Sequence, residues 1–329
     1  MKRINRMVMQ NIGIIGSGKM GQDIFNYLND FDFQVVWFAR NPEKKEKLEK
    51  SYQKKLNRQL KHQLISQQQY NHKINNQITN TLDGLKNCDL IIETIIEDKK
   101  TKIDLFLELK SIIPPTCTIV SNSSSILPSY LSVNFPVAGM HFFYPVAFKN
   151  IVELILPDNY DSEKTEQLRS FLSSINKAYV IQNEQDAFLL NRFLLDLQVK
   201  AFHFAIEQNI PLPIVDQVSQ NIIPDFGLFE MMDHVGLNTM LHSIKNYAQM
   251  EDIPEKYDDL LSLIKQKITL DRPMIEISSV QEVDKKSEAA ILTFLRNEIQ
   301  VSFNQYYLNK PNQAGVYKNA IKEFCGLEL

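Results

Sequence analysis

The feature that most constrains the fold is a glycine-rich turn between an apolar strand and a helix. Residues 11–15 read Asn-Ile-Gly-Ile-Ile, residues 16–21 read Gly-Ser-Gly-Lys-Met-Gly, and a second apolar strand follows at residues 33–38. In such a turn the first glycine permits the sharp bend, the second lets a pyrophosphate approach the backbone, and the third lets helix and strand pack closely. The pattern therefore predicts a βαβ unit with a dinucleotide at the helix N-terminus. The turn residues expected to contact it are Gly16, Ser17, Gly18, Met20 and Gly21.

Strand-like and helix-like segments alternate up to about residue 182, which predicts an α/β fold with a doubly wound, Rossmann-like sheet. Strands are predicted at residues 11–15, 33–38, 76–79, 88–93, 117–121, 136–141, 150–156 and 178–182. Several are continuous apolar runs, as expected where helices cover both faces of a parallel sheet. Residues 42–72 are rich in Lys, Gln and Asn and predict one long charged helix or a helical hairpin. Its basic face either is merely solvated or meets a phosphate-bearing substrate.

A second domain is predicted after the last strand. Residues 188–206 are apolar almost all round, which indicates a helix buried in a helical domain or in an oligomer interface. We expect a Rossmann-like dinucleotide-binding domain at residues 1–184 and an all-helical C-terminal domain at residues 185–329. A faint similarity between residues 197–228 and 299–327 indicates a degenerate repeat of the helical unit.

Composition limits the partners and the location. The chain has 329 residues, 44% of them hydrophobic, and a net charge of −3, which shows no bias towards nucleic acid or an anionic membrane. Its three cysteines, Cys88, Cys117 and Cys325, are far apart, so no disulfide framework and no zinc or other metal site is indicated. A reducing cytoplasm fits best. The basic start is followed by an apolar stretch too short for a signal peptide or a membrane span.

A histidine and a glutamate are the strongest candidates for catalytic residues. Glu153 interrupts an apolar strand, and His141 ends the strand before it. An unpaired buried carboxylate is costly, whereas a carboxylate bonded to an imidazole orients it as a general acid or base. The alternative is that Glu153 lies on an exposed edge and His141 is an ordinary core histidine.

Two further polar segments favour a catalytic role for His141 and Glu153 over the structural alternative. Residues 121–125 read Ser-Asn-Ser-Ser-Ser at the carboxyl end of a strand, where open α/β sheets bind ligands, so we expect them to line one crevice with His141. The alternative is a helix N-cap before Ile126. Asn191 and Arg192 open an otherwise apolar helix, where a buried amide would need a partner such as a substrate carbonyl.

Taken together, these segments resemble the short-substrate 3-hydroxyacyl-CoA dehydrogenase family over about residues 10–240. The similar segments are residues 16–21, 92–97 with Lys102, 121–124, 141–143 with Glu153, 191–192, 227–230 with Asp233, and 236–237. The resemblance implies a Rossmann-like domain followed by a helical domain that commonly dimerises. It also implies the reversible oxidation of a 3-hydroxyacyl-CoA to a 3-ketoacyl-CoA by a nicotinamide cofactor, as in fatty acid metabolism.

The resemblance further implies a role for each site residue. His141 would take the proton of the 3-hydroxyl group while hydride leaves C3, and Glu153 would hold the imidazole and stabilise its charged form. Ser124 and Asn191 would hold the reacting oxygen of the substrate. The other residues expected near the cofactor are Glu97, Lys102 and Tyr144.

The sequence departs from the usual pattern at the position that selects the cofactor. Folds that prefer NAD place an Asp or Glu at the end of the second strand, where this chain has Ala39 followed by Arg40. This pair removes repulsion from a 2′-phosphate and offers a bidentate cation, so NADP is favoured over NAD. The alternative is that Arg40 contacts only the next helix.

Other departures concern the pocket and the tail. Tyr144 stands where the family has an asparagine near the nicotinamide, Asp186 and Ala187 replace its Pro-Gly, and its closing Gly-x-Gly-Phe-Tyr segment has no counterpart after residue 240. Two other functions therefore stay open. One is a dehydrogenase of a non-CoA hydroxy acid of the carnitine or gulonate type, and the other is a non-catalytic nucleotide- or acyl-CoA-binding protein.

Overall fold

The structure, a computed structural model, describes residues 9–223, 226–250, 253–276, 282–309 and 314–327. It divides into two compact units, the first ending at Ala187 and the second beginning at Phe188. The first unit is built on a sheet, and the regular structure described in the second is helical.

The sheet of the first unit has eight strands. These are β1 (Asn11–Ile15), β2 (Gln34–Phe38), β3 (Gln77–Thr79), β4 (Leu90–Glu93), β5 (Thr118–Ser121), β6 (Val137–Phe142), β7 (Ile151–Leu156) and β8 (Ala178–Asn183). Their order is β3-β2-β1-β4-β5-β6-β7-β8, and every neighbouring pair is parallel except β6 and β7, which are antiparallel. The strand order reverses between β1 and β4, which is where doubly wound sheets bind their ligands.

Helices cover both faces of this sheet. They are α1 (Lys19–Leu28), α2 (Pro42–Lys61), α3 (Gln67–Lys73), α4 (Lys99–Leu109), α5 (Pro128–Leu131) and α6 (Ser162–Ser174). Successive strand residues point to opposite faces. Accordingly Ile14 belongs to the same buried cluster as Phe25 of α1, whereas Ile15 belongs to the cluster of Phe106 of α4. This burial on both faces explains the apolar strands, and the predicted fold class is confirmed.

The predicted elements of the first unit agree with the structure, with strand ends shifted by at most two residues. The charged segment 42–72 forms two helices, α2 and α3, so it is the hairpin rather than one long helix. Each helix has its own cap. The Asn41 side chain accepts from the Lys44 N–H at 2.9 Å, and Ser66 and Gln69 form a capping box at the start of α3.

The second unit contains seven α-helices in the residues that the structure describes. They are α7 (Leu189–Glu207), α8 (Leu212–Ser219), α9 (Glu230–Val235), α10 (Leu237–Ala248), α11 (Asp258–Thr269), α12 (Lys285–Asn309) and α13 (Ala314–Cys325). α7 packs against α8, α12 and α13, which explains why its sequence is apolar on most sides. The degenerate repeat stays a prediction, and residues 310–313 of its second copy lie outside the described residues. Within the described ranges, none of the helices combines the length and apolar character that a membrane crossing requires.

Asp216 is a buried carboxylate that joins two segments of the second unit. Its Oδ1 accepts hydrogen bonds from the backbone N–H groups of Phe229 at 2.6 Å and Glu230 at 3.1 Å. Burial raises the pKa of Asp216 from 3.8 to about 6, because its effect exceeds that of the two hydrogen bonds, which lower the pKa.

This raised pKa is expected to make the protein less stable as the pH rises from about 4 to about 6. The folded state binds the proton more tightly than the unfolded chain, so the stabilisation present below pH 4 is lost on deprotonation and amounts to roughly 3 kcal/mol. Asp216→Asn keeps an acceptor oxygen but has no such proton. Its thermal unfolding midpoint should therefore depend less on pH in this interval than that of the wild type. Equal pH dependence in both proteins would contradict the assignment.

Candidate active site

The glycine turn lies between β1 and α1, beside the point where the strand order reverses. Gly16 has a φ of 120°, which side chains disfavour, and a Cβ there would lie 2.5 Å from Oγ1 of Thr94. A Cβ on Gly21 would lie 2.1 Å from the Gly16 carbonyl oxygen, so α1 packs directly on the turn. Around Gly18, no atom of the described residues apart from its chain neighbours lies within 4 Å of the Cβ position, which leaves space for a ligand. The turn therefore fits the phosphates of a dinucleotide.

Trp37, the single tryptophan of the sequence, ties this turn to β2. Its indole Nε1 donates to the Gly16 carbonyl oxygen at 2.7 Å, and its ring stacks on Phe25 with centroids 4.8 Å apart. A buried indole N–H needs an acceptor, and here that acceptor is part of the turn. This role was not predicted, although a lone tryptophan in an apolar strand was a signal for it.

Glu97 is the acceptor around which the serine turn, residues 121–125, is folded. Its Oε1 accepts from the Ser123 hydroxyl at 2.6 Å, from the Ser124 N–H and hydroxyl at 2.9 and 3.2 Å, and from the Ser125 N–H and hydroxyl at 2.9 and 2.8 Å. Burial alone would raise the pKa of Glu97, but the nearby Lys102 ammonium and these hydrogen bonds outweigh it and lower the pKa. Glu97 is therefore an anion that fixes the conformation of the turn.

The alternative that the serines cap a helix before Ile126 is wrong. The Ser123 hydroxyl does accept from the Ile126 N–H at 2.9 Å, but α5 begins only at Pro128 and has no side-chain cap. The serine hydroxyls instead stabilise a turn at the carboxyl end of β5.

A fully buried ion pair lies beside the serine turn. Nζ of Lys102 is 2.6 Å from Oε1 of Glu93, and the two side chains are 1% and 0% exposed. Glu93 also accepts from the Ser121 hydroxyl at 2.5 Å and from the Ile95 N–H at 2.6 Å. The Lys102 ammonium also lies 3.7 Å from Oε2 of Glu97, so its single positive charge is near two carboxylates. The Glu93 pairing was not predicted, and an approach of Lys102 to the cofactor stays a prediction.

The serine turn reaches the strand that carries His141. The side-chain Oδ1 of Asn122 accepts from the backbone N–H of Phe142 at 2.8 Å. His141 and Glu153 lie opposite each other on the antiparallel strands β6 and β7. The carboxyl ends of the neighbouring strands β5 and β6 are therefore joined by this hydrogen bond, as expected.

His141 and Glu153 form a buried pair. Nδ1 of His141 lies 2.8 Å from Oε2 of Glu153, and their side chains are 7% and 0% exposed. The Gln182 amide on β8 donates to Oε1 of Glu153 at 2.9 Å. Because a carboxylate only accepts, Nδ1 carries the proton, and Nε2 is the nitrogen that can take a second one. The alternative in which Glu153 lies on an exposed edge is wrong.

The loop after β6 contacts α1. It begins with a cis peptide bond between Tyr144 and Pro145, and Nζ of Lys19 lies 3.8 Å from the centroid of the Tyr144 ring. The backbone N–H of Val146 donates to Oδ2 of Asp23 at 2.6 Å. Lys19 and Asp23 are one turn apart on α1, so one face of this helix holds the loop.

Neither a metal site nor a disulfide bond is found in the part of the chain that the structure describes. Cys88 and Cys117 are buried free thiols, and burial raises the pKa of each to about 12. These thiols are therefore protonated and unreactive at neutral pH.

Comparison with known families assigns both units. The profile of the "3-hydroxyacyl-CoA dehydrogenase, NAD binding domain" matches residues 11–185, and that of the "3-hydroxyacyl-CoA dehydrogenase, C-terminal domain" matches residues 188–271. The chain belongs to the 3-hydroxyacyl-CoA dehydrogenase family. The resemblance seen in the sequence is confirmed, and the protein is a 3-hydroxyacyl-CoA dehydrogenase-like oxidoreductase with a nicotinamide-binding domain.

Curated relatives are similar at moderate identity. A 3-hydroxybutyryl-CoA dehydrogenase of Bradyrhizobium diazoefficiens is 26% identical over 240 residues, which cover 71% of this chain and 82% of the relative. A probable 3-hydroxybutyryl-CoA dehydrogenase of Bacillus subtilis is 29% identical over 241 residues, covering 71% and 84%. A putative fatty acid oxidation complex trifunctional enzyme of Rickettsia prowazekii is 28% identical over 247 residues. The match covers 70% of this chain but only 34% of that enzyme.

Solved structures share the fold. FadB2 of M. tuberculosis has a TM-score of 0.70 at 20% identity, covering 82% of this chain and 100% of that one. The (S)-3-hydroxybutyryl-CoA dehydrogenase PaaH1 of Ralstonia eutropha has a TM-score of 0.70 at 22% identity, with the same coverage. At these identities the likeness concerns the fold alone.

In this 3-hydroxyacyl-CoA dehydrogenase family member, the residues after β2 are exposed to different degrees. Ala39 is fully buried, and its N–H donates to the Thr79 carbonyl oxygen at 2.8 Å. The Arg40 side chain is 64% exposed, and its guanidinium lies 2.9 Å from Oε2 of Glu108 on α4. Exposed pairs of this kind contribute about 0–1 kcal/mol, so the guanidinium can readily exchange this partner for another anion.

The remaining predicted site residue, Asn191, lies near the start of α7 in the second unit. There the Arg192 N–H donates to the Phe188 carbonyl oxygen at 2.8 Å, and Phe188 has a φ of 59°. The predicted contact between Asn191 and a substrate oxygen stays a prediction.

Proposed function

We propose that this protein interconverts a 3-hydroxyacyl-CoA and the corresponding 3-ketoacyl-CoA with a nicotinamide cofactor. The observation that carries the proposal is the buried pair of His141 and Glu153 on the neighbouring strands β6 and β7 of a family NAD-binding domain. An imidazole held by a carboxylate is a general acid or base suited to neutral pH. The relatives named 3-hydroxybutyryl-CoA dehydrogenase support a short acyl chain.

His141 carries the proton transfer. In the oxidative direction, Nε2 takes the proton of the 3-hydroxyl group, and in the reductive direction it returns a proton to the same oxygen. Glu153 keeps the Nδ1 proton in place and stabilises the imidazolium, and Gln182 orients Glu153. When bound, the nicotinamide supplies the hydride chemistry at C3.

Ser124 and Asn191 hold the reacting oxygen. The Ser124 hydroxyl makes a long bond of 3.2 Å to Glu97, whereas its N–H makes a shorter one of 2.9 Å. In this proposal the hydroxyl donates to the substrate oxygen, and the N–H bond to Glu97 keeps the turn in place. The Asn191 amide donates to the carbonyl and polarises it in the reductive direction. Residues 185–329 serve as the substrate domain and the homodimer interface.

Several residues of the first unit would hold the cofactor. They are Gly16, Ser17, Gly18, Met20, Gly21, Arg40, Glu97, Lys102 and Tyr144. The glycine turn and the N-terminus of α1 take the phosphates, as the space at Gly18 supports. The role in fatty acid metabolism and the cytoplasmic location are further parts of this proposal.

Within this function, NADP is favoured over NAD. Ala39 supplies no carboxylate to accept from a 2′-hydroxyl group, and the exposed Arg40 guanidinium offers a bidentate partner for a 2′-phosphate. Glu108 would have to give up its bond to Arg40, which costs little at an exposed site.

Arg40→Ala is expected to lower kcat/KM with NADPH by about tenfold or more, the cost of a lost charge-assisted hydrogen bond. The value with NADH should change by less than about twofold, because the 2′-hydroxyl has no charge to bind. Glu108→Gln is the matched control, since it frees Arg40 without removing it and should keep the NADPH preference. A wild-type preference for NADH, or equal losses with both cofactors, would contradict the proposal.

The function itself is tested by initial rates of acetoacetyl-CoA reduction with NADPH and NADH, beside acetoacetate and 3-dehydrocarnitine. Turnover of acetoacetyl-CoA in preference to the other two compounds is expected. Turnover of a non-CoA compound alone would favour the second enzyme class instead. Cofactor binding without turnover of any compound would favour a non-catalytic binding protein.

A further inference from the structure

Lys19 and Tyr144 bring together two segments that are far apart in the sequence. Lys19 is the first residue of α1, directly after Gly18, and Tyr144 opens the loop that follows the His141 strand. Nζ of Lys19 lies 3.8 Å from the Tyr144 ring centroid, which is the geometry of a cation–π interaction. The tyrosine is 43% exposed, so the pair lies at the surface of the first unit rather than in its core.

The position of the Tyr144 loop does not depend on this pair alone. The Val146 N–H donates to Asp23, one turn after Lys19, at 2.6 Å. Buried Lys177 donates to the carbonyl oxygen of Val146 and, at 2.9 Å, to that of Lys149. The Asp23 contact therefore holds the loop against α1, and Lys177, which lies between α6 and β8, fixes the carbonyl side of the same loop.

The location of Lys19 makes its charge relevant to an anion. It follows the glycine turn and begins α1, so its ammonium adds a full charge to the partial positive charge of the helix N-terminus. The open space at Gly18, the preceding residue, leaves room for a ligand there. A lysine already held over an aromatic ring loses less conformational freedom when an anion binds.

We propose that Lys19 is a side-chain ligand of the cofactor's pyrophosphate and that Tyr144 is the positioning residue that holds it. This contact adds to the backbone N–H groups of the turn. The proposal rests on the nicotinamide cofactor of the proposed function. It gives Tyr144 a role that acts through Lys19 rather than through direct stacking on the nicotinamide.

Binding without turnover tests this proposal. Trp37 is the single tryptophan and its indole is bonded to Gly16, so its fluorescence reports on the turn directly. The titrants are ADP-ribose and AMP, each with and without a 2′-phosphate. Both lack the nicotinamide and cannot transfer hydride, and only ADP-ribose has a pyrophosphate.

Lys19→Met should raise the Kd of ADP-ribose by about tenfold, the loss expected for a charge-assisted hydrogen bond, and that of AMP by much less. Tyr144→Leu should raise the Kd of ADP-ribose by about threefold, whereas Tyr144→Phe, which keeps the ring, should leave it unchanged. In the Lys19→Met background, Tyr144→Leu should add nothing, because the two residues act as one unit.

Lys99→Met is the matched control. Lys99 is the first residue of α4, and its Nζ lies 3.9 Å from the centroid of the Tyr130 ring, so the substitution removes the same type of contact outside the glycine turn. It should leave ADP-ribose binding unchanged.

Each contrary outcome has a distinct meaning. Wild-type affinity in Lys19→Met would overturn the proposal while leaving cofactor binding intact. An equal effect of Tyr144→Leu with and without Lys19 would overturn the positioning role of Tyr144. If the wild type bound neither form of ADP-ribose, this proposal and the proposed cofactor would both fail.

Discussion

Replacing His141 by glutamine is expected to lower kcat/KM for acetoacetyl-CoA reduction by about 10²–10⁴-fold, the usual contribution of a general acid or base. Glutamine keeps polar atoms near Glu153 but cannot exchange a proton at neutral pH. Glu153→Gln should cause a smaller loss, because the imidazole stays but its charged form is less stabilised. Initial rates at saturating cofactor would measure both effects.

The controls for this prediction separate chemistry from folding. His62→Gln makes the same change at an exposed histidine after α2 and should leave the rate unchanged. Cofactor binding, followed by Trp37 fluorescence, should be unchanged in His141→Gln. A rate within a few-fold of the wild type for His141→Gln would exclude His141 as the proton-transfer residue.

Lys102→Met is expected to destabilise the protein by about 3–5 kcal/mol, because it leaves the Glu93 carboxylate buried without its counter-charge. Glu93→Gln in the same protein should recover much of this loss, since a glutamine oxygen still accepts from Ser121 and Ile95. Free energies of unfolding from urea titrations of the two single variants and the double variant would measure the coupling.

The matched control for this pair is Lys100→Met, two positions earlier on α4. Its ion pair with Asp104 is exposed and should contribute no more than about 1 kcal/mol. If Lys102→Met were as stable as Lys100→Met, the buried pair would not be important for stability. If the double variant were less stable than Lys102→Met, the unpaired charge of Glu93 would not be the cause of the destabilisation.

Local patterns were sufficient to predict most of the first unit. The glycine turn, the apolar strands and the polar interruption at Glu153 depend on short-range periodicity and on the cost of burying a charge. The charged segment 42–72 was ambiguous because helical periodicity does not show where one helix ends and the next begins. The capping box of Ser66 and Gln69 is the local signal that marks the start of the second helix.

The contacts that were not predicted join residues through the sheet order. Glu93 reaches Ser121 because β4 and β5 are neighbours, and Gln182 reaches Glu153 because β8 lies beside β7. Asp23 and Val146 are bonded across 123 positions. Gln182 did leave a signal, since it alternates with Val180 on the buried face of β8. Its partner, however, depends on strand order, which periodicity does not contain.

The most direct test of the proposed reaction is hydride transfer from the cofactor to C3 of acetoacetyl-CoA. The protein would be incubated with NADPH or NADH carrying deuterium at both C4 positions of the nicotinamide, and the acyl-CoA product would be analysed by mass spectrometry. We predict 3-hydroxybutyryl-CoA with a single deuterium at C3, formed by the wild type and at a strongly reduced rate by His141→Gln. No deuterated product with either cofactor, from folded protein that binds the cofactor, would contradict the proposed function.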